Sequence, residues 1–295
     1  MRGRTGGRDK LWLWGFSLPA LVVVVGVQLY PLMYSAFLST QDWNMARSPG
    51  PLGWVGLDNF RQVLGDAVFQ RAVQNSLFIT GVSVSIEVLL GIGLAYLTIG
   101  SGGRVRIMRT LLILPMVIAP VAAGTLWRMI FNTRAGLAAL IGSAFGIQGP
   151  EWLSSPDWAR VAVMVVDIWQ WTPFVMLVVV AGLASLPGEV MESAAIDGAS
   201  RWQSFWRVEL PILTPVLLVA VMFRTLDSLL SLDSIFALTY GGPGYSTYTL
   251  TYYVYTLGLK NFELGGAAAA SWMFMAFSSG VIVLMFWLHR RTEAL

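Results

Sequence analysis

Five ionisable residues stand inside or at the end of long apolar runs of this chain: Glu87, Asp167, Arg224, Asp227 and Asp233. A carboxylate so placed can carry a proton, bind a cation, pair with a buried guanidinium or meet a polar solute. Catalysis needs more. There is no cysteine, and the one histidine, His289, sits beside Arg290 and Arg291 near the C-terminus, so nucleophile-and-base chemistry of the Cys–His or Ser–His kind has no support. Counting alone leaves open an aspartyl site from Asp227 or Asp233. No G-x-x-x-x-G-K-[ST] occurs, and the only lysines are Lys10 and Lys260, so no lysine is available for the phosphates of a nucleotide. The chain does not hydrolyse ATP itself, is expected to bind no cofactor or metal, and has no redox chemistry.

At 100° per residue along a helix, Arg224, Asp227, Ser228 and Ser231 share a face, with Arg224 and Asp227 spaced to pair at i,i+3, while Asp233 points to the opposite side. A second face holds Asp167, Gln170, Trp171 and Phe174. Polar groups beside aromatic planes suit a sugar or polyol, which needs hydrogen bonds and a stacking surface. An internal ion pair that fixes helix packing explains Arg224 and Asp227 equally well, and aromatic residues also gather in interfacial belts. A mid-helix Arg or Asp costs about 2.5–3.5 kcal/mol on insertion, against about 0.3–0.6 gained per Leu, Ile, Val or Phe. These groups therefore face protein or water.

The elements that must position them are membrane spans. The chain has 295 residues, is 56% hydrophobic and 12% charged, and has mean hydropathy +0.67. Apolar stretches of about 20 residues recur, the length that crosses a hydrocarbon core. Six spans are predicted at Leu11–Leu38, Leu77–Ile99, Leu111–Phe131, Val161–Leu186, Ile212–Leu238 and Gly266–Leu288. The first is too long for a signal-peptide core and lacks a small-x-small cleavage site, so it is kept as a helix. With the N-terminus inside, eleven Lys and Arg fall in cytoplasmic segments (Arg2, Arg4, Arg8, Lys10, Arg104, Arg106, Arg109, Arg201, Arg207, Arg290, Arg291) against six outside (Arg47, Arg61, Arg71, Arg134, Arg160, Lys260). Positive residues favour the cytoplasm, so both termini are expected there. The same bias accounts for the net charge of +3 without nucleic acid as a partner. The reading is an all-α polytopic membrane protein. A tail, first span and external loop occupy 1–70, a five-helix core 71–289 with inward-facing helices at 187–209, and a cytoplasmic tail 290–295.

Met191–Pro215, MESAAIDGASRWQSFWRVELPILTP, breaks the apolar pattern. Pro187 marks a helix start, with Glu189 and Glu192 in its first turns, where the helix dipole favours acid. Gly198 ends that helix in a left-handed conformation. Ser200 and Gln203 form a capping box for a second helix, whose Trp202, Phe205 and Trp206 share a face. Pro211 leads the chain into the fifth span. The expected product is two short helices with an acidic rim, including Asp197 and Glu209, small residues at Ala194, Ala195 and Gly198, and aromatic support beneath. A helix pair lying on lipid is the plain alternative, but acidic residues suit an anionic leaflet poorly.

Glu192-Ser193-Ala194-Ala195-Ile196-Asp197-Gly198-Ala199, followed by Phe205 and by Leu210-Pro211 with Pro215, resembles the E-A-A…G coupling motif of ABC importer permeases, with Ser193 where the family usually has alanine. Leu29-Tyr30-Pro31, Val55-Gly56-Leu57-Asp58-Asn59-Phe60, Leu114-Pro115, Trp127-Arg128, Phe131-Asn132, Ala181-Gly182-Leu183 and Gly241-Gly242-Pro243-Gly244 are similar to carbohydrate-type members, in particular the compact F-like subunit of maltose-type systems. The resemblance implies the type-1 importer permease fold and import of a sugar, polyol or glycerol-phosphate. It also implies a G-like second permease, a cytoplasmic ATPase dimer that holds ATP and Mg, and an extracytoplasmic solute-binding protein. On this resemblance Glu192, Ser193, Ala194, Ala195, Asp197, Gly198, Ala199, Phe205 and Pro211 contact the ATPase. The competing class is an ion-coupled carrier that uses Glu87, Asp167 and Asp227. Import of a non-sugar solute by the same machinery is the other alternative.

Overall fold

The computed structural model describes residues 7–100, 102–146 and 149–293. Arg2 and Arg4, and the side chains of Arg8, Lys10, His289 and Arg291, lie outside the described residues. In chain order the helices are α1 (Gly7–Val24), α2 (Tyr30–Leu38), α3 (Asp58–Gly65), α4 (Ala67–Thr98), α5 (Gly103–Val117), α6 (Pro120–Ile130), α7 (Leu137–Ala144), α8 (Pro156–Ala184), α9 (Gly188–Ile196), α10 (Arg201–Ser204), α11 (Leu210–Leu230), α12 (Asp233–Leu238), α13 (Leu250–Tyr255) and α14 (Leu264–Glu293). One-turn π segments at Val25–Leu29 and Phe205–Glu209 make continuous helices of α1–α2 and α10–α11. Two strands, β1 (Gln41–Asp42) and β2 (Gly53–Trp54), pair antiparallel.

Among the described residues, five helical stretches are long and apolar enough to cross a membrane: Trp14–Leu38, Ala67–Thr98, Pro156–Ala184, Arg201–Leu230 and Leu264–Trp287. A sixth is a broken pair, α5 and α6, bent by 98°. The expected third span, Leu111–Phe131, is thus not one straight helix. Pro115 and Pro120 account for the break. A residue before proline is pushed out of the α region, and Ile118 and Ala119 take ψ of 132° and 137°. Pro120 then opens α6 at a position where a missing N–H costs nothing.

Two other boundaries moved for readable reasons. The second span starts at Ala67, ten residues before the expected Leu77, because Asp66 caps it by accepting from the Val68 amide at 2.8 Å. The fifth ends at Leu230 rather than Leu238. Ser231 turns extended, with ψ 120°, and Asp233 opens the separate helix α12. Asp233 is exposed in that first turn, where it meets the positive end of the dipole. It was expected on the far side of a continuous span, and that placement is corrected.

The chain divides into two compact units. One comprises Met1–Gly65 and Val254–Met275. In it, Asn59 donates to the carbonyls of Ser39 and Gln41, both at 2.9 Å, which fixes α3 to the end of α2. Asn44 bridges to Glu263, and the Met45 amide donates to the Phe262 carbonyl at 2.8 Å.

The second unit comprises Asp66–Tyr253 and Ala276–Leu295 and holds the candidate site. Its core forms where α4, α8 and α11 meet, around Ala95, Val175, Met176, Val179, Leu183 and Leu213. Between membrane helices, lipid is as apolar as leucine, so close van der Waals packing rather than hydrophobic burial holds such interfaces together. Small residues allow it. A Cβ on Gly91 would come within 2.7 Å of the Val175 side chain, and one on Gly182 within 2.5 Å of Leu213.

Candidate functional site

The three packed helices each bring a charge to one point. Arg224 of α11 is wholly buried, and its guanidinium meets Glu87 of α4 in bidentate fashion, Nε to Oε2 at 2.8 Å and Nη2 to Oε1 at 2.9 Å. The same Nη2 donates to Oδ1 of Asp167 on α8 at 3.2 Å, and Nη1 donates to Asp227 one turn further along α11. Ser228 donates to the other Asp167 oxygen at 3.2 Å and lies 3.0 Å from the Thr80 hydroxyl. The Trp171 ring covers the guanidinium at 4.7 Å. One guanidinium therefore faces three carboxylates from three helices, with four of its five N–H groups engaged.

Burial is uneven across this cluster. Glu87 is fully buried, whereas the Asp167 side chain is 11% exposed and that of Asp227 is 37% exposed. The accessible edge thus offers carboxylate acceptors and an indole rather than a free cation. The expected Arg224–Asp227 pair is present, and Asp167, Trp171 and Ser228 join it. Glu87 carries the bidentate, fully buried pairing, which sequence reasoning missed: helix phase within one span says nothing about which residue of another span lies opposite.

Three of the expected residues do not join the cluster. Gln170 is 2% exposed, and its amide donates to the Ile118 carbonyl at 2.7 Å. It satisfies a carbonyl that the break between α5 and α6 leaves without a helical partner. Unwound backbone at membrane depth persists only where protein or water meets its polar groups. Ser231 lies beyond the end of α11 and pairs with Ser234 at 3.1 Å, so it is not on the Arg224 face. Phe174 packs on Phe223, with ring centroids 5.2 Å apart, rather than on the cluster.

The polar hairpin forms a second region. α9 ends in a Schellman motif: the Ala199 amide donates to the Ala194 carbonyl at 3.0 Å, the Gly198 amide to Ala195 at 3.1 Å, and Gly198 takes φ +75°. The capping box of Ser200 and Gln203 then opens α10. Glu189, Glu192, Ser193, Ala195 and Asp197 are exposed, Ala194 and Ala199 partly so, and nothing lies within 4 Å of a Cβ built on Gly198. Ile196 is 86% exposed and Trp202 69%. The aromatic support is partial. Phe205 packs edge-on against Tyr96 at 5.5 Å, while Trp202 and Trp206 stand mostly outside. Pro211 sits in the first turn of α11. Glu209, expected in the acidic rim, is instead buried and accepts from the Tyr96 hydroxyl. The π turn at Phe205–Glu209 rotates it inward, and no residue-type signal marks such a turn.

Residues 87–294 match the family described as the binding-protein-dependent transport system inner membrane component. The chain belongs to that family. A probable ABC transporter permease protein of Sinorhizobium fredii is 34% identical over 288 residues, which span 97% of this chain and 92% of the relative. The trehalose/maltose transport system permease protein MalF of Thermococcus litoralis is 31% identical, over 93% of this chain and 92% of its own. A crystal structure of a bacterial ABC transporter involved in import of the acidic polysaccharide alginate superposes with a TM-score of 0.82, at 25% identity and 96% coverage of each chain. This family member is an inner-membrane component that works with a separate binding protein, and its relatives are named as permeases rather than enzymes. The family match takes in the Arg224 cluster and the whole hairpin.

Proposed function

We propose that this permease forms one half of the membrane pathway of an ATP-driven importer of carbohydrates, from simple sugars and polyols to oligosaccharides. A second, G-like permease forms the other half. A cytoplasmic ATPase dimer with ATP and Mg supplies the energy, and an extracytoplasmic binding protein delivers the solute. Both termini and the Gly188–Glu209 hairpin face the cytoplasm. The observation that carries this reading is the hairpin: a nine-residue helix with exposed Glu189, Glu192 and Asp197, closed by a glycine in open space. The acidic rim of α9 is left uncovered by the described residues. The motif helix, held in a cleft of the ATPase, moves when ATP closes the dimer and exposes the pathway to each side in turn.

The cluster chemistry supports an uncharged polyhydroxy solute. Sugar hydroxyls donate to carboxylate edges such as Asp227 and Asp167, and an indole gives their C–H faces a surface. The carboxylates that an ion-coupled carrier would use, Glu87, Asp167 and Asp227, are all engaged by Arg224, which disfavours that mechanism. Copurification tests the assembly. A tagged chain coexpressed with its transport partners is expected to retain the ATPase through detergent extraction. Recovery of the tagged chain in a stable state without any ATPase would contradict the proposal.

A further inference from the structure

Among the described residues, Glu209 is the buried carboxylate that the Arg224 cluster does not use. It is 8% exposed and forms no ion pair among them. Its partners are hydroxyls: Tyr96, from the last turn of α4, donates to Oε2, and Ser204 donates to Oε1 at 3.5 Å. Ser204 and Glu209 are five residues apart. On an α-helix that spacing leaves side chains about 140° apart, whereas a π turn brings them together. The Phe205–Glu209 π turn is thus what aims Glu209 at Tyr96, and it also sets Phe205 against the edge of the same tyrosine ring.

Beside this contact lies a cavity of about 690 Å³, lined by Leu183, Leu186, Met191 and Ala195 as well as Tyr96 and Glu209. The motif helix α9 is therefore carried over open space. Nine residues along α4 from Tyr96, about 14 Å of helix, Glu87 holds Arg224 of α11. So α4 and the continuous α10–α11 helix are joined by polar contacts in two regions, at the hairpin and around the charge cluster, where Thr80 also meets Ser228.

From this we infer that Tyr96 and Glu209 are positioning residues for energy coupling: their hydrogen bond is the strut through which displacement of the hairpin moves α4, and with it the Glu87–Arg224 cluster. The inference rests on the reading that the hairpin docks the ATPase. The strut stays closed throughout the cycle, since its task is to make the hairpin and α4 move together.

The test uses the complete transporter in proteoliposomes, with its binding protein and with solute uptake and ATP hydrolysis measured together. Tyr96→Phe removes the hydroxyl and leaves the hairpin surface intact. The ATPase copurifies as before, and solute moved per ATP hydrolysed falls about fivefold, as expected for loss of one buried hydrogen bond. Glu209→Gln keeps an acceptor and retains most of the coupling. Because the chain has no cysteine, the pair Tyr96→Cys with Glu209→Cys can be bridged by a short bifunctional thiol reagent. Bridging restores the ratio that the unbridged pair has lost. An unchanged ratio in Tyr96→Phe, or bridging without recovery, overturns the strut. Absence of the ATPase from the wild-type complex is a different result, and it overturns the docking reading instead.

Discussion

Replacing Arg224 with methionine is expected to abolish the folded protein rather than merely slow transport. The guanidinium is wholly buried and neutralises Glu87, Asp167 and Asp227 from three helices. Methionine has similar length but no charge, so Glu87 would be left fully buried with no cation near it. Breaking a buried pair from one side typically costs about 3–5 kcal/mol, a large part of the stability of a typical fold. Size-exclusion profile and thermal unfolding in detergent read the effect directly. Arg224→Lys keeps the charge but not the fork that engages both Glu87 oxygens, and falls between the wild type and Arg224→Met. Combining Arg224→Met with Glu87→Gln recovers part of the loss, because the orphaned charge goes with it. A monodisperse Arg224→Met protein with wild-type unfolding and no transport would show that the guanidinium serves the solute and not the packing.

The second large effect is expected at Gly198, with a different signature. Its φ of +75° disfavours a residue with a Cβ and above all a β-branched one. Strain of this kind is about 1–3 kcal/mol. Yet among the described residues no neighbouring atom lies within 4 Å of a Cβ built there, and α9 is exposed, so the protein tolerates the local cost. Gly198→Val therefore inserts and unfolds much like the wild type but loses the ATPase on purification, or keeps it with hydrolysis that no longer moves solute. Glu192→Ala acts in the same direction and more mildly. Normal retention and normal solute-stimulated hydrolysis in Gly198→Val would mean that this hairpin does not couple the subunits.

These two residues mark what the sequence could and could not convey. The end of α9 was legible because its determinants are local: a glycine, a Ser-x-x-Gln box and an acidic first turn each act within one helical turn. The Arg224–Asp227 pair was legible for the same reason. Glu87 was not, since its partner lies 137 positions away and only packing of α4 on α11 brings them together. Gln170 read as a pathway residue because an amide beside tryptophans suits a sugar. Its actual role depends on a carbonyl freed by a break 52 residues earlier. The break itself could be seen in Pro115 and Pro120, and the early end of the fifth span in Asp233, whose type fits a helix start better than a span interior. The π turn that buries Glu209 has no such mark. Residue type placed it with the exposed acids, and backbone geometry removed it from them.

On the proposed function, ATP hydrolysis by a partner subunit, and not an ion gradient, drives solute through this permease. Uptake of the radiolabelled sugar that the binding protein retains, by proteoliposomes holding the complete complex, tests it most directly. Accumulation is expected when ATP and Mg are on the side that faces the hairpin and loaded binding protein is on the other, and it stops when ATP is replaced by a non-hydrolysable analogue. Dissipating proton and sodium gradients leaves it unchanged. Accumulation without ATP that collapses with an ion gradient would instead make the permease an ion-coupled carrier.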